Sequence, residues 1–185
     1  MNTAVTSKEE ILKTSRELIR RQGWSAVSIR SVAAGCGVSV GSIYNYFDSK
    51  TDLIGATVES VWCEIFHRPE DDAVFQDVEA CVAWMYQRMA YGCERYPGFF
   101  TLHSLGFLRE DKTAGKRRMQ QTWQHILAGL CSVLKQDVRI RPDAFTEQFT
   151  AEKFADVLFS QMLSALLRQD YDPSAVLEIV RRTLY

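Results

Sequence analysis

Between Ser25 and Leu53 the chain reads SAVSIRSVAAGCGVSVGSIYNYFDSKTDL, and the punctuation of that run dictates two short helices meeting at a glycine. Ser28 is placed to cap a first helix. Its apolar residues Ile29, Val32, Ala33 and Cys36 fall at i, i+3, i+4 and i+7, one helical face. Gly37 follows where a left-handed C-cap is wanted, a backbone that glycine adopts without a Cβ clash. Val38 plugs the turn, Ser39 caps the second helix, and Ile43 and Phe47 turn inward one turn apart. The opposite side carries Val40, Gly41, Ser42, Tyr44, Asn45 and Tyr46, which are small, form hydrogen bonds, or can lie against a sugar-phosphate strand. Glycine costs a helix interior about 1 kcal/mol against alanine. Gly41 is understandable if another surface approaches the helix start closely. Two helices joined by such a turn are what a chain needs to seat one of them in the major groove of DNA.

The flanking segments fit the same purpose. Ser49 to Asp52 spells a capping box, S-K-T-D, opening a helix at Lys50 that reaches Phe66. Free N–H groups at that terminus, its partial positive charge and the Lys50 ammonium together make a phosphate clamp. Upstream, Ser7 and Glu10 form a second capping box. Ile11, Leu12, Leu18 and Ile19 give a supporting helix its apolar stripe, and Gly23 ends it.

The run A-G-C-G-V-S-V-G-S-I-Y-N-Y-F-D-S-K-T-D-L resembles the DNA-binding domain of the TetR family of bacterial transcriptional regulators. Ser28, Arg30, Gly37, Val38, Ser39, Gly41, Tyr44, Phe47, Lys50 and Leu53 stand at the positions of that family's pattern, and the likeness covers residues 7–66. The resemblance implies a DNA surface that includes Ser39 at the head of the recognition helix. In it, Ser28 and Arg30 touch phosphates or a base edge. Val40, Gly41, Ser42 and Asn45 face bases, while Tyr44, Tyr46 and Lys50 hold the backbone. Asn45 departs from a common aromatic choice. It either pairs bidentately with adenine or contacts only phosphate and water.

Charge supports this end of the chain as the one that meets DNA. The net charge is −1, but residues 1–50 hold seven Lys or Arg against four acidic residues, a balance of +3, which leaves −4 for the remainder. With 46% hydrophobic residues the chain can bury a core and is not disordered. No apolar run is long enough to span a bilayer and no signal-peptide pattern opens the chain, so the expectation is a cytoplasmic protein with no membrane partner. The five cysteines, Cys36, Cys63, Cys81, Cys93 and Cys131, lack zinc spacing. They read as buried small hydrophobes or, alternatively, as a thiol sensor. The three histidines, His67, His103 and His125, also lack a metal motif. Neither a metal nor a cofactor is expected, nor a catalytic constellation, phosphate-cradling loop included.

Beyond Phe66 every periodic segment is helical. Pro69 and the acidic run Glu70, Asp71 and Asp72 mark a break, and a long helix spans 75–95 until Tyr96-Pro97-Gly98 stops it. A short aromatic helix ends before Asp111, and further helices cover 113–135, 150–168 and 173–184, the last opening on Asp172-Pro173. The predicted fold is all-α: an N-terminal three-helix helix-turn-helix domain, residues 1–49, then a helical-bundle regulatory domain, residues 50–185, with helix 50–66 linking the two.

Two surfaces in the second part carry functional expectations. Trp84, Met85, Met89, Phe99, Phe100, His103, Phe107, Met119 and Trp123 form either a pocket for a small hydrophobic ligand or ordinary core, with Tyr86, Tyr91 and Gln120 as further polar anchors. Phe154, Leu158, Phe159, Met162, Leu166, Val176, Ile179 and Val180 form either a homodimer interface or a face packed inward. The small residues Ser160 and Ser164 permit close helix approach. A C2 pair, which the resemblance also implies, would meet a palindromic operator in double-stranded DNA. The leading expectation is a dimeric repressor released by ligand. The alternatives are a constitutive or activating regulator without small-molecule input and, least supported, an enzyme or carrier.

Overall fold

The computed structural model describes residues 6–67, 72–99 and 113–185, all of them helical or in turns and loops. Eight α-helices run in order among these residues. They are α1 Lys8–Gln22, α2 Ile29–Cys36, α3 Val40–Tyr44, α4 Lys50–Ile65, α5 Val78–Arg95, α6 Thr113–Gln136, α7 Ala151–Arg168 and α8 Ser174–Leu184. No helix among them is long and apolar enough to cross a membrane.

The chain divides into two compact units. The first combines residues 1–65 with 92–122, and the second combines 66–91 with 123–185. The expected boundary at residues 49 and 50 therefore falls inside the first unit. The reason lies in α4, which buries Leu53, Ala56, Val58, Val61, Trp62 and Ile65 and so packs on more than one side. A helix with so wide an apolar surface contributes to a core.

In the first unit, Ile11 and Ile19 of α1, Val32 and Ala33 of α2, Ile43 of α3 and Leu53 of α4 make the core with Phe47. The turn Tyr96-Pro97-Gly98-Phe99 completes it. Proline in its second position and a positive φ of 75° at Gly98 are the requirements of a type II turn, and Phe99 N–H returns to the Tyr96 carbonyl at 3.0 Å. Phe99 is thereby folded back against Trp24 and Trp62, with ring centroids 5.8 and 6.4 Å away.

The second unit is built on Val82, Met85 and Met89 of α5, Leu130, Val133 and Leu134 of α6, and the apolar faces of α7 and α8. Thr150 caps α7 through a bond from Lys153 N–H to its hydroxyl, 3.3 Å. Asp172 accepts from Ser174 N–H at 2.9 Å, so it caps α8 from one residue further out than the sequence suggests, with Pro173 between. Of the predicted break, Pro69, Glu70 and Asp71 lie outside the described residues, as does all of the short aromatic helix after Phe99, while Asp72 opens a single helical turn, Asp72–Phe75.

Candidate DNA-binding surface

Local hydrogen bonds set each element of the surface. Ser7 Oγ accepts Glu10 N–H at 3.1 Å at the head of α1. At α2 the box is made by two serines: Ser31 N–H bonds to Ser28 Oγ at 3.1 Å, and Ser28 N–H returns to Ser31 Oγ at 2.9 Å. Gly37 adopts the left-handed backbone, φ 66° and ψ 28°, and Val38 N–H reaches back to the Ala33 carbonyl at 3.0 Å. That pair of features is the Schellman-type ending that lets the chain reverse sharply into α3. Ser39 Oγ then accepts Ser42 N–H at 3.1 Å.

The short α3 is polarised. Ile43 is fully buried and Phe47 nearly so, while Val40 and Tyr44 are 41% and 49% exposed. Gly41, Asn45 and Tyr46 are also exposed, and Ser42 is half-buried. Large apolar and aromatic groups held in solvent on a helix whose opposite residue is wholly buried are an unfilled contact face. Around it, Arg30 and Lys50 are exposed and make no ion pair among the described residues. Lys50 is the first residue of α4, where Ser49 Oγ accepts Asp52 N–H at 3.1 Å and Asp52 Oδ2 accepts Asp48 N–H at 3.2 Å. A carboxylate near that terminus complements the helix dipole, and the lysine adds a cation to the remaining N–H groups.

Tyr46 has a partner within the chain. Its hydroxyl donates to the Thr6 carbonyl at 2.5 Å, tying the helix-turn-helix to the approach to α1. A phenol has one proton to donate, so in this arrangement Tyr46 does not donate to a phosphate. Ser28 is likewise engaged in its capping box and half-buried, while Ser39 is exposed.

The described residues expected in a ligand pocket divide between the two units. Met85 and Met89 are buried in the second unit, where Trp84 stands edge-on to Phe75 and Phe66 at 5.5 and 6.1 Å. Trp123 is half-buried against Phe159 at 5.7 Å, its indole N–H enclosed with no hydrogen-bond partner. Phe99 instead belongs to the core of the first unit, because the Pro97-Gly98 turn folds it there. Phe100, His103 and Phe107, and the side chain of Met119, lie outside the described residues. Tyr86 is buried, Tyr91 lies beneath the Arg88 guanidinium at 4.4 Å, and Gln120 is exposed. A groove of about 590 Å³ runs elsewhere, between α6 and α7, lined by Leu127, Cys131, Lys135, Glu152, Ala155 and Asp156 among others.

The residues expected at a dimer interface are mostly buried within the chain. Phe154, Leu158, Phe159, Met162, Leu166, Val176 and Val180 are all buried within this chain, and only Ile179 is exposed. The wide apolar face of α7 is consumed by its own unit, as the Trp123–Phe159 and Phe149–Phe154 ring contacts show. What α7 leaves in solvent is a narrower stripe. Val157 and Leu167 are 46% and 56% exposed, with Ser160 exposed and Ser164 half-buried between them. Of the cysteines, Cys81 is buried, and burial pushes its thiol up to about 12.

Sequence reading missed one cluster altogether, the charged hub at Glu64. Arg16 and Arg20, one turn apart on α1, were the available hint. Their shared partner lies 44 residues away from Arg20, beyond any local pattern.

A capped, glycine-turned pair of helices with a polarised second member defines a helix-turn-helix, the element that seats a helix in the major groove of DNA. Residues 11–57 match the family model described as bacterial regulatory proteins, tetR family. A stretch of 52 residues is 40% identical to the uncharacterized HTH-type transcriptional regulator YerO of Bacillus subtilis, covering 28% of this chain and 18% of that relative's length. The chain thus spans well under two thirds of that relative. The fold as a whole resembles the transcriptional regulator FadR of Bacillus subtilis in complex with stearoyl-CoA, with a TM-score of 0.66, 16% identity, and 97% and 100% of the two chains covered. It also resembles the multidrug binding protein EbrR complexed with imidazole, TM-score 0.61 and 18% identity, covering 98% and 96%. The likeness to the tetR family is carried by residues 11–57, and over the rest of the chain these solved structures share the fold.

Proposed function

We propose that the protein is a dimeric cytoplasmic repressor, without enzymatic activity, that binds a palindromic operator and is released from it by a hydrophobic small molecule. The observation that carries the DNA half is the polarity of α3: Val40 and Tyr44 stand in solvent opposite a fully buried Ile43. In this reading Val40, Gly41, Ser42 and Asn45 meet base edges, with Ser39 at the helix head. Tyr44, Arg30 and Lys50 meet the sugar-phosphate strands. Ser28 shapes α2, and Tyr46 shapes the entry to α1.

For dimerisation the support is the exposed stripe Val157, Ser160, Ser164 and Leu167 on α7, spaced three, four and three residues apart. Ile179 of α8 adds an exposed isoleucine. That spacing is a helix-packing seam with small residues at its centre. Two copies joined along it present two recognition helices to half-sites about 34–36 Å apart. For the ligand, support comes from the buried methionines and aromatics of the second unit and from the stearoyl-CoA held by the similar FadR structure.

The test starts from duplexes enriched by the protein out of a random pool. Fluorescence anisotropy against KCl then measures affinity, with log K expected to fall steeply as salt rises. Long-chain acyl-CoA and proflavin serve as trial effectors. No enrichment of any duplex would overturn the DNA reading. Enrichment with affinity indifferent to every effector would favour a constitutive regulator.

A further inference from the structure

Glu64 of α4 is the shared acceptor of three arginines in the first unit. Arg16 of α1 donates Nε to its Oε2 at 2.8 Å, Arg20 of α1 reaches Oε1 through Nη2, and Arg95, which ends α5, donates Nε to Oε1 at 3.2 Å. The same Nη2 of Arg20 donates to the Tyr96 hydroxyl at 2.8 Å, with its guanidinium carbon 5.1 Å from the centre of the tyrosine ring. Tyr96 is wholly buried, with the Glu64 carboxylate beside its hydroxyl. Burial, with the Glu64 carboxylate beside it, pushes this phenol up to about 12, so it keeps its proton across the working range. Burial opposes the charge on Glu64, yet the Tyr96 hydroxyl and the three arginines hold its carboxyl below the usual carboxylate range.

Packing reinforces the hub. The Tyr96 ring lies 6.2 Å from that of Phe99, which in turn touches Trp24 and Trp62. Gly92 admits the fully buried Ile65 so closely that a Cβ there would stand 2.6 Å from the isoleucine Cδ1. Residues 92–99 are therefore wedged where α1 meets the end of α4. Helix α1 carries α2 and, through it, α3, whereas α4 carries Lys50. The angle between α1 and α4 sets how far the Lys50 clamp stands from the recognition helix. Contacts to the sugar-phosphate strands fix a protein's register on the duplex, so that separation matters to binding.

We infer that Tyr96 is a positioning residue for DNA binding, fixing the angle between α1 and α4 through Arg20 and Glu64 while touching no DNA itself. The inference rests on the DNA-binding reading above. Removing the hydroxyl leaves the ring packing but loosens the joint, so part of the operator's binding energy must restore an angle that the wild type holds already.

The test uses the full chain and a duplex enriched by the wild type, with affinity measured by anisotropy across a KCl series. Tyr96→Phe is expected to weaken binding about tenfold, the loss of one hydrogen bond to a charged group. The slope of log K against log salt stays unchanged, because no phosphate contact is lost. Combined with Arg20→Lys the effects are non-additive, and combined with Arg30→Ala they add. Arg20→Lys alone carries the same expectation should Tyr96→Phe fail to fold, since lysine keeps the charge but cannot serve both partners in the same fork geometry. Affinity within twofold of wild type in a folded variant, additivity with Arg20→Lys, or a shallower salt slope would each overturn the inference. A wild type that enriches no duplex overturns the DNA-binding reading instead.

Discussion

The hydroxyl of Tyr185 donates to the buried carboxylate of Asp137 at 2.5 Å, joining the residue after α8 to the residue after α6. Asp137 also accepts Val78 N–H at the head of α5, at 3.1 Å, and Arg139 closes on it with Nε at 3.0 Å and Nη2 at 2.8 Å. One carboxylate thus ties three helix ends of the second unit. Its burial raises the cost of charge, but Arg139, Tyr185 and two backbone N–H groups outweigh that and hold it far below the ordinary carboxylate range.

Asp137→Asn should destabilise the protein by about 2 kcal/mol at neutral pH, the scale of charged hydrogen bonds lost in a buried site. The depressed acidity also sets a pH dependence. A carboxylate whose folded pKa lies below its unfolded value of about 3.9 contributes fully above that value and loses its contribution as the pH falls below it. Urea midpoints measured from pH 7 down to pH 2.5 should fall in the wild type below about pH 4 and fall less steeply in Asp137→Asn. Parallel curves would assign the acid sensitivity to other groups.

Gly41→Ala separates folding from DNA binding. The nearest atom to a Cβ built at Gly41 is Ser39 Oγ at 3.6 Å, an ordinary contact, so the protein itself has room. Thermal melts should show a gain of about 0.5–1 kcal/mol from helix propensity. Operator affinity should fall at least tenfold if a DNA strand needs that space. A variant that is both more stable and unimpaired would place the DNA elsewhere.

Arg30→Ala should weaken every duplex alike and reduce the salt slope by about one, the signature of a lost phosphate contact. Asn45→Ala distinguishes the two readings of that side chain. Footprinting should show relaxed preference at one operator position if it reads adenine, and unchanged preference throughout if it contacts phosphate or water.

Self-association is expected to depend on the exposed stripe of α7. Val157→Glu with Leu167→Glu places two like charges per copy across the seam, so sedimentation should report monomer with unchanged circular dichroism. A variant that remains dimeric would move the interface off α7.

Much of the first unit was legible because its signals are local. Ser7, Ser28, Ser39 and Ser49 each cap a helix within three residues, and Gly37 takes the positive φ that its place between two apolar patterns demanded. Periodicity tells which side chains leave water but not what covers them. That is why Phe154, Leu158 and Met162 fit by sequence either a partner chain or the inside of their own unit, where they are buried. Phe99 was displaced from its expected site by a turn whose direction depends on one positive φ, and Glu64 gathers arginines from distant stretches that no window reads together.

The wedge of residues 92–99 also has a practical meaning for exchanging modules between regulators. Chain cut after Ile65 would leave Trp24, Trp62 and Glu64 without the aromatic and cationic cover that Tyr96, Phe99 and Arg95 supply. The helix-turn-helix half is thus not a cassette that ends with its fourth helix. Grafting it onto another regulator requires carrying a short segment from the far end of α5, or finding in the host a segment that fills the same space.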